Sequence, residues 1–198
     1  MIPLTRPAGP APSPFSSEQQ PRFDAEFEKA VAKYPSERRR SALLPVLHIA
    51  QDLLGWLPEQ AMAYVGFKLD IPPPRVREVA TFYTMYRLKP VGRHHIEVCN
   101  SVSCWLGGSE DLLKHAEQKL GIRPGEVTKD GLFSVGETTC LAGCGYPPSA
   151  IVNNFRYCEM LTKEKFDALL EQLKNEPGNK MAEGFPSNHD TGRAHDHG

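Results

Sequence analysis

Four of the five cysteines of this 198-residue chain lie between positions 99 and 144, in two close pairs. Four residues separate Cys99 from Cys104, three separate Cys140 from Cys144, and 35 residues lie between the pairs. Thiolates bind soft metals, and four of them complete a tetrahedral zinc site or a [2Fe–2S] cluster. The four cysteines are therefore candidate ligands of one shared metal centre.

The spacing within each pair helps to distinguish between the possible kinds of metal centre. Zinc ribbons and fingers usually hold the two ligands of a pair about two to four residues apart, so these intervals fit zinc loosely. The Cys-x-x-Cys motif of dithiol oxidoreductases is absent, and so is the compact ligand run of plant-type ferredoxins. Spacing alone favours an iron–sulfur cluster and leaves open a zinc site, disulfides or unliganded thiols.

The segments around both pairs look like loops. Residues 100–103 are polar apart from one valine, and residues 142–148 combine glycines with two prolines. Glycine lets backbone N–H groups approach a sulfur atom, and such hydrogen bonds tune the potential of a cluster.

The elements that must position these loops follow a β-α-β-β-β-α pattern. Strands are predicted at residues 94–98, 132–135, 150–152 and 155–157, and helices begin at Ser109 and at Thr162. A strand–helix–strand unit favours a right-handed parallel crossover. The carboxyl ends of parallel strands lie at one edge of a sheet, so we expect the two cysteine pairs to meet there.

The first half of the chain predicts a helical bundle. Apolar residues recur at helical spacing in four segments; Gly55 ends the second, and three prolines at 72–74 precede the fourth. Residues 89–92 are typical of a linker. Four regions follow: a disordered Pro-rich N-terminus at 1–20, a helical domain at 21–90 that we expect to dock a partner, the cysteine-bearing domain at 91–174 and a disordered His-containing tail at 175–198.

Whole-chain composition excludes several classes of function. The net charge is −1, which gives no general field for nucleic acid. No apolar run approaches the roughly 20 residues of a membrane span, and residues 1–20 resemble neither a signal nor a transit peptide. We therefore expect a cytoplasmic protein with reduced thiols.

The remaining candidates are weaker. Cys158 lies on the last predicted strand, away from both loops, and is interpreted as a small core thiol. His94 and His95 lack the Cys-x-His pairing of a Rieske site and are interpreted as polar residues at the edge of a strand. The aromatic cluster Phe82, Tyr83 and Tyr86 is either core or a face that packs on a partner.

Several motifs follow one another along the chain in a specific order. They are Val79-Ala80-Thr81-Phe82-Tyr83-Thr84-Met85-Tyr86, Val98-Cys99-x₄-Cys104-x₂-Gly107, Thr139-Cys140-Leu141-Ala142-Gly143-Cys144-Gly145-Tyr146-Pro147-Pro148, Asn153, Tyr157 and Leu161-Thr162. This order resembles that of one family, the thioredoxin-like [2Fe–2S] ferredoxins, and the resemblance runs from about Tyr34 to about Leu173. The chain departs from the family pattern at Thr139, where the family usually has an acidic residue, and at Ala142, where it often has glycine.

This resemblance implies an α/β protein in which an N-terminal helical bundle precedes a thioredoxin-like [2Fe–2S] ferredoxin domain. It implies that Cys99, Cys104, Cys140 and Cys144 bind the cluster, whereas Cys158 does not. It also implies a place in the peripheral arm of NADH:quinone oxidoreductase (respiratory complex I), beside the subunit that binds FMN and NADH. Such a chain would carry electrons without a hydride-transfer site of its own, at the cytoplasmic face of the bacterial inner membrane.

The sequence itself agrees with a carrier role. No Gly-rich dinucleotide fingerprint is present, and a one-electron cluster needs a flavin on a partner to receive electrons from NADH. Two alternatives remain. One is the equivalent subunit of an NAD-dependent formate dehydrogenase or hydrogenase, and the other is a zinc-stabilised interaction module.

Overall fold

The computed structural model describes residues 11–178. Within these residues a helical half precedes a half in which helices cover a four-stranded sheet, so the predicted α/β class with an N-terminal helical bundle is confirmed. In chain order, the elements are α1 (Gln19–Val31), a 3₁₀ helix (Ser36–Ala42), α2 (Leu43–Leu54), α3 (Glu59–Leu69), α4 (Pro73–Phe82), β1 (His94–Cys99), α5 (Val102–Leu106), α6 (Ser109–Leu120), β2 (Phe133–Thr138), β3 (Ala150–Val152), β4 (Arg156–Cys158) and α7 (Lys163–Lys174).

The helical half follows from its apolar spacing and its breakers. Phe23 and Phe27 lie one turn apart on α1 and are fully buried against α2 and α3. Gly55 ends α2 in the left-handed conformation, at φ +81°, as the sequence predicts. Pro58 and Pro72 precede the first residues of α3 and α4, where a proline fits the start of a helix.

The segment just before α1 is partly packed on the helical core, although the sequence predicts disorder at residues 1–20. Phe15 is buried, and its ring stacks on Phe23 with centroids 4.4 Å apart. It also meets the ring of Tyr64 edge-on at 5.8 Å. Burial of a large ring offsets the entropy of ordering this polar segment, so the helical core begins before residue 21. Residues 1–10 lie outside the part of the chain that the structure describes.

Two side-chain amides hold the connection between the halves. Gln51, on α2, donates to the carbonyl oxygen of Met85 at 3.0 Å and accepts from the backbone N–H of Arg87 at 2.6 Å. Asn154, in the β3–β4 turn, donates to the same Met85 oxygen at 2.9 Å. The Arg87 guanidinium in turn donates to the Asn154 side chain at 3.1 Å. The connection is therefore bonded to both halves.

The sheet has the strand order β2-β1-β3-β4. β1 and β2 are parallel, with Cys99 paired to Thr138, and β3 pairs antiparallel to β1 and to β4. The predicted parallel crossover and the predicted hairpin are both confirmed. Asn153 and Asn154 turn the hairpin with positive φ, a conformation that asparagine tolerates well.

The core of this half lies on one face of the sheet. Ile96 and Val98 alternate along β1 and pack with Leu112 and Ala116 of α6. α7 adds a buried stripe that begins at Phe166. Thr162 caps α7, because its hydroxyl accepts a hydrogen bond from the backbone N–H of Lys165 at 3.3 Å.

Two expectations for this half are wrong. His94 and His95 are not at an edge: β1 is an inner strand, and both side chains are buried. The segment predicted as a loop inside the first cysteine pair contains a short helix, α5. Since a five-residue helix has barely one turn of periodicity, its pattern does not show in the sequence.

No helix within residues 11–178 is long and apolar enough to cross a membrane. The histidines of the predicted tail, at 189, 195 and 197, lie outside the described residues.

Candidate functional site

The parallel strands bring the two cysteine pairs to one edge of the sheet. Cys99 is the last residue of β1 and is paired in register with Thr138, the last residue of β2. Cys104 follows on α5, while Cys140 and Cys144 lie in the loop after β2. The meeting of the pairs is therefore as the strand pattern predicts, although only the second pair occupies a loop.

The environment of Cys99 includes residues from both ligand segments. The Cys104 and Cys140 thiols, one from each pair, both act to lower the pKa of the Cys99 thiol. Burial raises the pKa of the Cys99 thiol, but hydrogen bonds outweigh burial and leave this pKa below its ordinary value. The donors include the backbone N–H groups of Ser101 and Leu141. A lowered pKa favours the thiolate, which is the form that binds iron.

The pKa of the Cys104 thiol shifts in the opposite direction, above its ordinary value. Burial raises the pKa of the Cys104 thiol, and the adjacent Cys99 sulfur raises it further, although contacts with Ser149 act in the other direction. Two thiols in contact do not ionise together readily, because the second negative charge is repelled by the first. A cation that neutralises both charges would therefore fit this pair, and iron is such a cation.

The cysteines of the second loop are more exposed than those of the first pair. Cys140 and Cys144 are exposed, and the backbone N–H of Ala142 donates to the Cys140 sulfur at 3.4 Å. Ala142 adopts a left-handed conformation, with φ +58°, at the position where the family often has glycine. The turn thus aims a backbone N–H at a sulfur atom, and alanine adopts it at a conformational cost.

Close packing fixes this loop against the sheet and against α5. The Ser149 hydroxyl lies 3.2 Å from the carbonyl oxygens of both Gly143 and Tyr146. A Cβ on Gly107, just after α5, would lie 2.9 Å from the Cβ of Pro147. The two ligand segments therefore touch, and side chains there would separate them.

The donor set fits an iron–sulfur cluster. All five cysteines are free, so no disulfide competes for the four thiols at this edge. In residues 11–178 no three Cys, His, Asp or Glu side chains converge as the ligands of one metal ion. A [2Fe–2S] cluster shares four thiolates between two irons, so it needs only two of these thiols at each iron. Cys99, Cys104, Cys140 and Cys144 are the residues that would hold it.

Cys158 lies apart from this group. It is on β4, which β3 separates from β1, and its half-buried side chain packs against the core of the sheet. Burial raises the pKa of its thiol, which keeps it protonated. Both observations agree with its interpretation as a structural thiol.

A group of buried and half-buried ionisable residues, associated with the other face of β1, was not predicted. Arg87 is 8% exposed, and its charge acts on Asp52, His95 and Glu97. Burial raises the pKa of Asp52 to about 7. Burial and the Arg87 charge lower the pKa of His95 to about 3. Only the alternation of β1 could have indicated that His95 and Glu97 share a face.

The fold and the site together define a class of protein: a small α/β protein that carries two pairs of free cysteines near the edge where two parallel strands end. A comparison with protein families identifies the family within this class. Residues 27–174 match the model of the thioredoxin-like [2Fe–2S] ferredoxins. The chain belongs to this family, as its motif order indicates.

Two relatives are similar to this chain over most of their own length. The chain is 49% identical over 150 residues to a subunit of NADH-quinone oxidoreductase from Rickettsia bellii, covering 75% of this chain and 89% of the relative. It is 40% identical over 148 residues to NADH-quinone oxidoreductase subunit 2 of Thermus thermophilus, covering 75% and 82%.

A solved structure of an NAD⁺-reducing [NiFe]-hydrogenase, in the air-oxidised state, is also similar. The TM-score is 0.58 and the sequence identity 30%, over 67% of this chain. This chain spans only 22% of the hydrogenase chain.

Proposed function

We propose that this chain is the [2Fe–2S] electron-transfer subunit of NADH:quinone oxidoreductase, and that it binds next to the subunit that oxidises NADH with FMN. The observation that carries the proposal is the 49% identity to the Rickettsia bellii subunit of this enzyme, extending through the segment with all four thiols. The chain would then work at the cytoplasmic face of the bacterial membrane, held there by its complex.

The role of each cysteine follows from its position. Cys99 and Cys104 supply the first pair of ligands from β1 and α5, and Cys140 and Cys144 supply the second pair from the loop after β2. When bound, a [2Fe–2S] cluster accepts and releases one electron at a time. The chain's own contribution is to hold four thiolates, to direct N–H groups toward two of them and to bury Cys99 and Cys104.

The helical half provides a candidate surface for the partner. Tyr86 is buried, but Phe82 is 78% exposed at the end of α4, and its ring contacts that of Tyr83 at 5.1 Å. The aromatic cluster is thus divided between core and surface. Aromatic residues that are exposed in a free subunit often become the buried centre of an interface when a partner binds. The exposed pair therefore supports a docking role for the helical half.

The hydrogenase similarity supports the second candidate, an equivalent subunit of an NAD-reducing hydrogenase. Purification of the native complex through a tag on this chain distinguishes the two. The proposal expects a complex that couples NADH oxidation to quinone reduction, and expects the Cys104→Ser variant of the chain to lose one [2Fe–2S] signal from the NADH-reduced complex. If the purified complex instead consumes hydrogen, the chain is the hydrogenase subunit and the first candidate function is wrong.

Metal analysis tests the zinc module. Two irons and two acid-labile sulfides for each chain agree with the proposal. One zinc for each chain, with no visible absorption, would overturn it.

A further inference from the structure

The surface beside Cys99 contains an open cleft of about 450 Å³. It lies between the end of β1, α5 and the outer face of α6, and here it is named the acidic cleft. Its lining includes Cys99, Trp105, Glu110, Leu113, Glu117 and Glu137. A group that enters it therefore approaches one of the four proposed cluster ligands.

The charges of the acidic cleft have one dominant sign. Glu110, Glu117 and Glu137 line it with three carboxylates, against the single ammonium group of Lys114. Glu110 and Glu117 are seven residues apart on α6, so they project from the same face two turns apart. The amide of Asn100 donates to the carboxylate of Glu137 at 2.9 Å, which orients that group at the end of β2.

An apolar surface adjoins these charges. Three of the five residues of α5 are large, apolar and exposed: Val102 to 72%, Trp105 to 54% and Leu106 to 73%. So many apolar side chains on one short helix are unusual for a surface that meets only water. Trp105 is shared between this surface and the acidic cleft, and thus offers an aromatic face beside carboxylates.

The geometry points to the acidic cleft as the seat of a basic, arginine-bearing segment of the redox partner, which docks the partner within reach of the cluster. The inference deepens the proposed function and rests on it. A guanidinium group binds carboxylates in a bidentate manner and stacks on an indole ring, so arginine matches both features of the cleft. Electron-transfer contacts are often small and depend on such complementary charges for their orientation.

A second copy of this chain is a poorer occupant. In a symmetric dimer the same patch faces itself, so the carboxylates of one acidic cleft would meet those of the other. Like charges opposed across an interface are repulsive and select against that partner. The net charge of the lining, three negative and one positive, therefore favours a basic partner of different sequence.

The test uses the complete, cluster-loaded chain and the FMN-containing subunit of its own complex, with affinity measured at low and at high ionic strength. Glu110→Lys reverses a charge inside the acidic cleft. Asp111→Lys is the matched control, because Asp111 is the next residue on α6, is also exposed and does not line the cleft. Both changes act equally on the helix dipole, since both acids lie in the first turn of α6.

We expect Glu110→Lys to weaken binding about tenfold or more at low ionic strength, and Asp111→Lys to change it less than about twofold. High salt should bring the two variants together, because it screens exposed charges. Trp105→Ala should weaken binding at both salt concentrations, whereas Tyr157→Ala, a change at an aromatic residue that is also 54% exposed, should not. Glu117→Lys, two turns along α6, repeats the test if Glu110→Lys lowers the iron content.

The outcomes are distinct. If the unmodified chain does not bind the flavoprotein subunit, the proposed function itself fails. If the unmodified chain binds, but the cleft and control variants behave alike, the partner docks elsewhere and this inference is overturned. If Glu110→Lys alters self-association and leaves flavoprotein binding unchanged, the occupant is a second copy and the inference is again overturned.

Discussion

The hydroxyl of Ser149 lies 3.2 Å from the carbonyl oxygen of Gly143 and occupies the space where a side chain at residue 143 would begin. A Cβ added to Gly143 would lie 2.7 Å from that hydroxyl oxygen, closer than atoms in contact allow. Ser149 immediately precedes β3, and Gly143 lies between two of the proposed ligands. The packing of the sheet and the shape of the ligand loop are therefore coupled.

The coupling predicts a steric effect on the cluster. Gly143→Ala should displace the loop from Ser149 and lower the stability of the cluster-loaded chain by about 1–3 kcal/mol, as overpacking commonly does. Gly145→Ala is the control, because a Cβ there would meet nothing within 4 Å. The rate of cluster loss on mild heating, followed by visible absorption, measures both variants. Equal rates for the two would contradict this account of the loop.

A substitution toward the family pattern should have the opposite effect. Ala142→Gly relieves the left-handed conformation at φ +58° and should stabilise the chain by about 1 kcal/mol, a rise of a few degrees in Tm. Gly55→Ala makes the reverse change at φ +81° in open space and should lower Tm by a similar amount. Calorimetry on the intact protein measures both. A lower Tm for Ala142→Gly would show that alanine is not strained there.

The four thiols at the edge of the sheet predict which cysteines bind the cluster. Serine at position 99, 104, 140 or 144 removes one thiolate, so each variant should lose most of its iron and acid-labile sulfide or show a strongly altered spectrum. Cys158→Ser should keep both, because Cys158 lies on β4 away from the group. Iron and sulfide assays on the five proteins decide. Loss of the cluster from Cys158→Ser alone would show that the ligand assignment is wrong.

The buried His95 predicts a dependence of stability on pH. Its ring nitrogen Nδ1 lies 2.7 Å from the Ser134 hydroxyl, and burial lowers the pKa of this histidine to about 3 from an ordinary 6.5. Between these values the unfolded chain binds a proton at His95 that the folded chain does not. The contribution of this pKa shift to the free energy of unfolding is therefore fully present above about pH 6.5. It decreases as the pH falls toward 3.

His95→Gln removes this proton while keeping an amide that can reach Ser134. The free energy of unfolding of the variant should therefore fall less steeply than that of the unmodified chain between pH 6.5 and 5. Asp52, whose pKa of about 7 lies close to this window, is present in both proteins. One proton contributes at most about 1.4 kcal/mol for each pH unit. Urea titrations at several pH values measure the two slopes, and identical slopes would mean that His95 binds its proton equally well in the folded and the unfolded chain.

The positions of the cysteines could be predicted from the sequence because they depend on one simple rule. Alternation marked β1, a helix before the next predicted strand favoured a parallel crossover, and parallel strands end at one edge. The structure adds the register, with Cys99 paired to Thr138, and extends β2 to Thr138, beyond its predicted end at residue 135. Near the cysteines the short helix α5 was not predicted, since one turn has no period to detect.

Contacts between distant residues could not be predicted in the same way. Phe15 is buried by stacking on Phe23, although its own segment is polar and rich in proline. His95 is buried because β1 has a neighbour on each side, and Arg87 because amides from both halves enclose the connection. Each of these facts depends on tertiary packing, which a local pattern of residue types does not contain.

The last prediction concerns the entry of electrons. A hydride carries two electrons and a [2Fe–2S] cluster takes one, so NADH should not reduce the isolated, cluster-loaded chain. Dithionite should reduce it, bleaching the visible spectrum and producing the paramagnetic signal of a half-reduced cluster, since all-cysteine centres of plant-type ferredoxins lie near about −400 mV. NADH should cause the same change only after the flavoprotein subunit is added. Rapid bleaching of the flavin-free chain by NADH would reveal a hydride-accepting site in this protein and would contradict its role as a one-electron carrier.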